Sequence, residues 1–348
     1  LYGIDRLSQD FEIESTLHLV HEATSALNKR GWRVLPQQIS DDLQGVLRHY
    51  NPRDFVVLNL CEGATQQQSY YARVTEALGR GGYTFTGSDS WSLDETQYKW
   101  RMKLLLEKAK VPTPRWVLRE DASDFEFDAF PAIVKPAEQH CSYGITRESV
   151  VLNLDEARAQ IARCIREFNQ PAMLEEFLDS AEYNVSVWGS DKSRAYGLEV
   201  LGISTMVYDY FDNIKDRLCT FDAKWTPDSE AFQKIPAICP APISARLQKK
   251  IERVALQAYK ASHCRDYGRV DIRLNRAGEP MVLDVNSNCD VSSEGGFMNA
   301  ARSRGLDYGQ MLERLINLAL ARGPNNRTVN AAQPLEIVPV PVTAGVSA

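Results

Sequence analysis

Arg269-Val270-Asp271-Ile272-Arg273, then Asn275-Arg276-Ala277-Gly278, then Met281-Val282-Leu283-Asp284-Val285-Asn286, is the stretch from which the rest of the chain is read. Two apolar runs flank a turn signal, a pattern that predicts two antiparallel strands. Side chains alternate along a strand, so Arg269, Asp271 and Arg273 share one face of the first. Asp284 and Asn286 share one face of the second. A hairpin face carrying Asp271, Asp284 and Asn286 offers only hard oxygen ligands. Such a set suits Mg2+, which takes a few carboxylates together with phosphate oxygens and water. Arg269 beside it can neutralise charge on a transferring phosphoryl group. Taken alone, a solvated surface hairpin explains these residues at least as well. The surrounding chain reverses that order.

The chain has 348 residues, which fits two or three packed domains rather than one small core. Hydrophobic residues make up 44% and charged residues 25%, as in ordinary globular proteins. A formal net charge of -6 argues against bulk nucleic-acid binding. No apolar run approaches membrane-spanning length, and no segment reads as a cleavable signal peptide. The seven cysteines are scattered and form no CxxC, so reduced thiols in a cytoplasmic protein are expected. His18 and His21 share a helix face, but without a third ligand they do not make a zinc site.

The first ninety or so residues alternate helix and strand, which implies an open α/β layer. Residues 14–29 are periodic as an amphipathic helix, 33–39 reads as a strand, and Phe55–Leu60 reads as a buried parallel strand. A helix is expected over 66–78 and a short strand over 83–87. Leu93–Lys110 predicts one long helix with Lys99 and Lys103 at i and i+4 on one face, by default a solvated one. Phe130–Pro136 is a strand that ends on Lys135. The loop behind it, 137–145, contains Ser142, Tyr143 and Gly144. Its backbone N–H groups can cradle phosphates while Lys135 supplies charge, although Gly144 needs only a turn to explain it. Ala172–Leu178 and Tyr183–Trp188 read as strands. Their connector, with Glu175 and Glu182 on either side, is a candidate hinge between subdomains. By default both glutamates face solvent. Residues 201–242 look irregular, as a functional lid would. Ser244–Ala261 and about Tyr308–Ala321 read as helices, and 323–348 as an extended or disordered tail.

In this order the pieces resemble the ATP-grasp superfamily, and within it the D-alanine–D-alanine ligase-like branch. The resemblance runs from about Glu12 to Ala321. Its most specific part is Arg269-Val270-Asp271, thirteen residues before Asp284-Val285-Asn286. This looks like the family's R-x-D … E-x-N metal hairpin with Asp in place of the usual Glu. Val134-Lys135-Pro136 followed by Ser142-Tyr143-Gly144 looks like its phosphate loop. Glu175-Glu176-Phe177-Leu178 and then Glu182 look like its adenine and ribose hinge. Asp222-Ala223-Lys224-Trp225 is similar to its D-x-A-K-[YW] segment, and Tyr83–Gly87 to its P-Y-T-G strand end. Five motifs in one order are far more specific than any one of them.

The fold this resemblance implies is α/β (α+β), the ATP-grasp fold: an N-terminal open α/β domain plus two α+β subdomains that clamp ATP. The expected boundaries are 1–95 for a substrate-side domain, 96–190 and 191–322 for the two grasp subdomains, and 323–348 for the tail. By resemblance, Lys99 and Lys135 would contact ATP phosphates. The backbone of Glu175 and Phe177 would face the adenine edge, and Glu182 would hold the ribose hydroxyls. Lys224 would reach the phosphate and substrate region. Asp271, Asp284 and Asn286 would bind two Mg2+ ions, and Arg269 would stabilise the transition state. Glu12 falls where the family has a glutamate facing the amino group of its first amino acid.

The expected activity is ADP-forming ligation of a small-molecule carboxylate to an amine through an acyl phosphate, on amino acids or small peptides. The chain departs from D-alanine–D-alanine ligases after Asn286. Asp290 stands where a glycine helps form the oxyanion hole, and Gly295 stands where a serine holds the second carboxylate. Asp290 and Glu294 would repel a free carboxylate and attract an amine, so D-alanyl-D-alanine is not the expected product. A D-alanine–D-alanine ligase proper, an ATP-grasp kinase or ATPase, and a non-catalytic nucleotide-binding module are the alternatives. Neither nucleic acid nor membrane is an expected partner, and a homodimer is left open.

Overall fold

The computed structural model describes residues 1–3, 10–39, 43–61, 70–139, 142–190, 197–208, 210–219, 235 and 237–324. The expectations for Lys224, for the Asp222–Trp225 segment and for the tail beyond 324 lie outside those residues.

The N-terminal layer is built on short parallel strands. β1 (Tyr2–Gly3) pairs with β2 (Gln38–Ile39), and β3 (Val56–Val57) pairs with β4 (Thr84–Phe85). The Leu60 N–H donates to the Leu1 carbonyl at 2.9 Å and joins the two ribbons. The strand expected over 33–39 shrinks to its last two residues, and the run 55–60 pairs only at Val56–Val57. Helices α1 (Asp10–Lys29), α2 (Leu43–Leu47) and α3 (Tyr70–Arg80) surround this layer.

The single helix expected over 93–110 is two helices. α4 (Ser90–Gln97) starts on Asp89, whose side chain accepts from the Ser92 N–H. Tyr98 then turns extended at φ -97°, ψ 114°, and α5 (Lys99–Lys108) begins. That break makes Lys99 the first residue of a helix, and its N–H donates to the Ala137 carbonyl at 3.1 Å. The loop after Lys135 is thereby tied to the start of α5.

A four-stranded antiparallel sheet follows, made of β5 (Trp116–Arg119), β6 (Ala132–Pro136), β7 (Val150–Val151) and β8 (Ala172–Glu176), in the order β5-β8-β6-β7. α6 (Leu154–Phe168) covers one face, burying Ala157, Ile161 and Cys164 against Val134 and Leu174.

A five-stranded sheet holds β9 (Glu182–Ser190), β10 (Gly197–Met206), β11 (Ala237–Ile238), β12 (Tyr267–Leu274) and β13 (Pro280–Asn286), in the order β11-β10-β9-β12-β13. Residues 201–206, expected to be irregular, continue β10. Tyr183, Val185, Val187, Val270, Ile272, Val282 and Val285 pack against α5 and α7 (Ala245–Ala261). The opposite face carries the polar side chains. α8 (Gly296–Ser303) and α9 (Tyr308–Arg322) close a further core with α1, in which Ala23 and Leu27 meet Phe297, Met311, Leu312 and Leu315. Among the described residues no helix is long and apolar enough to cross a membrane, and the six cysteines there are free.

Candidate active site

Antiparallel pairing sets Arg269 opposite Asn286 and Asp271 opposite Asp284 in the β12–β13 ladder. Directly opposed residues project to the same face, so all four stand together. β9 adds Ser186 beside Arg269, Asn184 beside Asp271 and Glu182 beside Arg273. The register shifts between Asp271 and Ile272, leaving Leu283 as an extra residue on β13. This bulge lets Val282 bury with Val285 while Asp284 and Asn286 keep the polar face.

Arg269 grips Asp271 with two bonds, Nε to Oδ1 at 2.7 Å and NH2 to Oδ2 at 3.0 Å. Asn184 Nδ2 donates to Oδ1 at 2.9 Å, and Asn286 Nδ2 donates to Oδ2 at 3.0 Å. Burial alone would lower the Arg269 pKa, but the Asp271 carboxylate holds it above the ordinary value. Asp284 Oδ1 accepts the Val285 N–H at 2.9 Å. Two carboxylates and a side-chain amide on facing strands fit a hard divalent cation. For Asn286 to join that set, its amide must turn so that Oδ1 rather than Nδ2 looks inward, a change that preserves its shape.

A second charged cluster lies next to the first. Lys103 and Glu175 are both 0% exposed. The Glu175 carboxylate binds the ammonium of Lys103 through Oε1 and that of Lys135 through Oε2. Lys103 Nζ also donates to Thr113 Oγ1 at 2.6 Å and to the Val282 carbonyl at 3.0 Å, two residues before Asp284. Lys103 therefore stitches the four-stranded sheet to the metal-type hairpin. Burial would raise the Glu175 pKa, but the two ammonium groups overrule it and hold it below the ordinary value. Burial lowers that of Lys103 against the pull of Glu175. The default expectations of a solvated Lys103 and a solvent-facing Glu175 are both overturned, because each neutralises the other inside the protein.

The loop after β6 is held in shape by its own residues. Ser142 lies at φ +62° and its Oγ donates to the Cys219 carbonyl at 2.9 Å. Tyr143 is exposed and meets Phe168 edge to face. Gly144 has φ +75°, and a Cβ there would stand 2.6 Å from Phe168 and 2.9 Å from Pro136. A turn alone therefore does not account for Gly144. Lys99 Nζ donates to the Gln139 carbonyl. Near the end of β8, Glu175 pairs with Trp116 on one side and Ile133 on the other, and the Phe177 N–H donates to the Pro131 carbonyl at 2.8 Å. That N–H is thus engaged within the protein. Glu176 is the last residue of β8, and Leu178 follows in the connector.

The segment after Asn286 is fixed to the N-terminal layer. Ser88 Oγ donates to the Ser287 carbonyl at 2.9 Å, the Ser88 N–H donates to Asn288 Oδ1 at 2.9 Å, and Thr96 Oγ1 meets Ser287 Oγ at 2.8 Å. Cys289 is buried, and burial pushes its thiol up, away from nucleophile behaviour. Asp290 accepts the Ser292 N–H on Oδ1 at 2.8 Å and the Ser292 hydroxyl on Oδ2 at 2.9 Å. A Cβ on Gly295 would lie 2.6 Å from Asp290 Oδ2, so the glycine makes room for this turn. Glu294 is exposed. Asp290 thus folds back on its own loop. Ser293 Oγ donates instead to Glu22 Oε2 at 2.6 Å, a residue of α1. Glu12 lies in the first turn of α1, its side chain outside the described part.

Three residues of these two clusters were not assigned from sequence: Lys103, Asn184 and Arg273. Arg273 had the needed signal, since it alternates with Arg269 and Asp271. Lys103 had only its spacing from Lys99.

The family described as D-ala D-ala ligase C-terminus matches residues 105–317. The chain is 28% identical over 311 residues to the uncharacterized protein y4sG of Sinorhizobium fredii, covering 87% of this chain and 88% of that one. It is 25% identical over 312 residues to a D-alanine–D-alanine ligase of Methylacidiphilum infernorum, covering 89% and 92%. Its fold is similar to the crystal structure of the D-alanine–D-alanine ligase from Bacillus anthracis complexed with ATP, with a TM-score of 0.70, 19% identity, and coverage of 92% of this chain and 96% of that one. The match spans both grasp sheets, and the chain belongs to the D-ala D-ala ligase C-terminus family and is an ATP-grasp ligase.

Proposed function

We propose that this protein joins a small-molecule carboxylate to an amine, forming ADP by way of an acyl phosphate, and that its substrates are amino acids or small peptides. The observation that carries this reading is the polar face of the five-stranded sheet, where Arg269 clamps Asp271 with Asp284 and Asn286 beside it. A carboxylate is a poor electrophile in water, and phosphorylation supplies the leaving group that an amide bond needs. The residues contribute positioning and charge neutralisation. Asp271, Asp284 and Asn286 would hold Mg2+, which when bound would neutralise phosphate charge. Lys135, Lys99 and the backbone of the Ser142–Gly144 loop would bind the phosphates. Glu182 would accept the ribose hydroxyls, and the hinge through Glu176–Leu178 would meet the base. Arg269, already fixed in orientation by Asp271, would stabilise the tetrahedral oxyanion formed as the amine attacks. Glu12 and Lys224 would serve the substrate side.

A product other than D-alanyl-D-alanine is supported by the loop after Asn286. Asp290 and Ser292 close on each other over Gly295, so no serine hydroxyl is offered there for a second carboxylate. The family match supports the ordinary ligase as the second reading. One experiment separates them: ADP release with Mg-ATP across a panel of carboxylic acids paired with amines, D-alanine included. Amine-dependent ADP release with D-alanine a poor acceptor is expected. D-alanine as the best acceptor would make this a D-alanine–D-alanine ligase, and ADP release without any amine would make it a kinase or ATPase.

A further inference from the structure

Arg273 is 3% exposed and lies on the same face of β12 as Arg269 and Asp271, opposite Glu182 of β9. A guanidinium is kept inside a protein only where its donors find acceptors. Those of Arg273 find them in three separate segments. Nε donates to Glu182 Oε2 at 3.3 Å, NH1 to the Leu178 carbonyl at 2.9 Å in the hinge connector, and NH2 to the Arg217 carbonyl at 3.1 Å in the segment after β10. The same guanidinium lies 4.6 Å from the centre of the Tyr208 ring and 5.2 Å from that of Phe177. Arg217 completes the enclosure with two bonds to Asp179, at 3.0 and 3.1 Å. Three chain segments therefore meet on one planar fork, a geometry that lysine cannot reproduce.

The bonds on Glu182 differ from the rest. Arg273 Nε at 3.3 Å and Tyr208 Oη at 3.4 Å reach Oε2, and Asn184 Nδ2 reaches Oε1 at 3.5 Å. All three are at the long end of the hydrogen-bond range. An ionised carboxylate has about four acceptor positions on its two oxygens. Glu182 is thus aimed and charge-compensated without being saturated, and it can still take two short bonds from a neighbouring pair of hydroxyls.

We infer that Arg273 is a positioning residue of the nucleotide site, holding Glu182, with Tyr208 and the hinge connector, in the orientation that meets a vicinal diol. The inference rests on the proposed reading of Glu182 as the ribose acceptor. It deepens that reading by naming the residue through which the sheet enforces diol recognition.

The test compares ATP with 2′,3′-dideoxy-ATP, by titration calorimetry, on the full-length protein. Wild type should bind ATP more tightly than the dideoxy nucleotide. Arg273→Met should weaken ATP binding about tenfold, the worth of one hydrogen bond to a charged group, and leave the dideoxy affinity within about twofold of wild type. Turnover at saturating ATP should fall far less than the affinity. Arg273→Lys, which keeps the charge but loses the carbonyl bonds, should fall between the two, and it carries the same comparison if Arg273→Met does not fold. An equal loss for both nucleotides in the variants would overturn the inference, leaving Arg273 a structural staple and the ligase reading intact. A wild type that binds both nucleotides equally would remove Glu182 from the ribose and overturn the inference along with that assignment.

Discussion

Glu175 shows how far a single residue can be from its apparent setting. In sequence it is an ordinary glutamate near the end of a strand. In the fold it is the shared counter-ion of two lysines, one of them 72 residues away. Nothing local to either residue announces the pair, and for that reason a solvated Lys103 was the natural expectation. Removing the charge leaves the buried Lys103 ammonium facing Lys135 with no anion between them. Glu175→Gln should therefore cost about 3–5 kcal/mol in urea unfolding. The pH dependence follows from the direction of its shift. The folded pKa lies below the ordinary 4.5, so the stabilisation is fully present above that value and is lost as pH falls through the folded pKa. Wild-type stability should drop below about pH 4.5, and Glu175→Gln should flatten that drop. An unchanged slope would show that other carboxylates carry the acid sensitivity. Asp284 gives the cleaner test of the cation site, since Asp271 also anchors Arg269, Asn184 and Asn286. Asp284→Asn should keep its melting temperature and lose more than about a hundredfold in kcat, above what outer-shell partners cost. ADP release near wild type would take the hairpin out of the chemistry.

At the scale of elements, the alternation in β12 and β13 was legible because a half-buried strand writes its two faces into every second residue. The bulge at Leu283 was not, since one extra residue leaves no compositional mark. Strict alternation would have set Val282 beside Asp284, whereas the structure buries it with Val285. The break at Tyr98 was equally invisible: no proline or glycine marks it, and its cause is the loop after β6 seated on the new helix start. The phosphate-type loop was readable as small and polar, but its glycine answers to Phe168, on a helix that ends 24 residues later. Gly144→Ala adds a strained φ to that clash and should destabilise the protein by about 1–3 kcal/mol. It should also raise the KM for ATP more than it lowers kcat. An alanine variant with unchanged Tm and KM would mean that the loop relaxes freely.

In the whole molecule, the N-terminal layer and the five-stranded sheet are joined through one buried carboxylate. Asp266 accepts the Gly87 N–H at 2.9 Å and Arg322 at 2.9 and 3.2 Å, while Arg322 reaches on to the Phe85 carbonyl at 2.6 Å. Arg265 adds a 2.8 Å bond to the Gly87 carbonyl. The seam also anchors Ser287 and Asn288, the residues that follow the β12–β13 hairpin. Asp266→Ala should destabilise by about 3–5 kcal/mol, as removal of one partner of a buried ion pair does. The loss should show as earlier unfolding in a thermal melt. A melt identical to wild type would mean that the serine and threonine contacts alone hold the seam. The existence of an α/β layer could be read from the sequence, but the latch between layers could not, because its partners come from residues 85–88, 265–266 and 322.

The core shared by α1 and α9 has a consequence in time. Ala23 and Leu27 are covered by Met311, Leu312 and Leu315, roughly 280 residues further along the sequence. A ribosome adds roughly 5–20 residues each second, so α1 waits on the order of tens of seconds for the helix that shields it. Throughout that interval α1 lacks the helix that covers Ala23 and Leu27. This core cannot be completed as it is made, and α1 is among the last elements to become native.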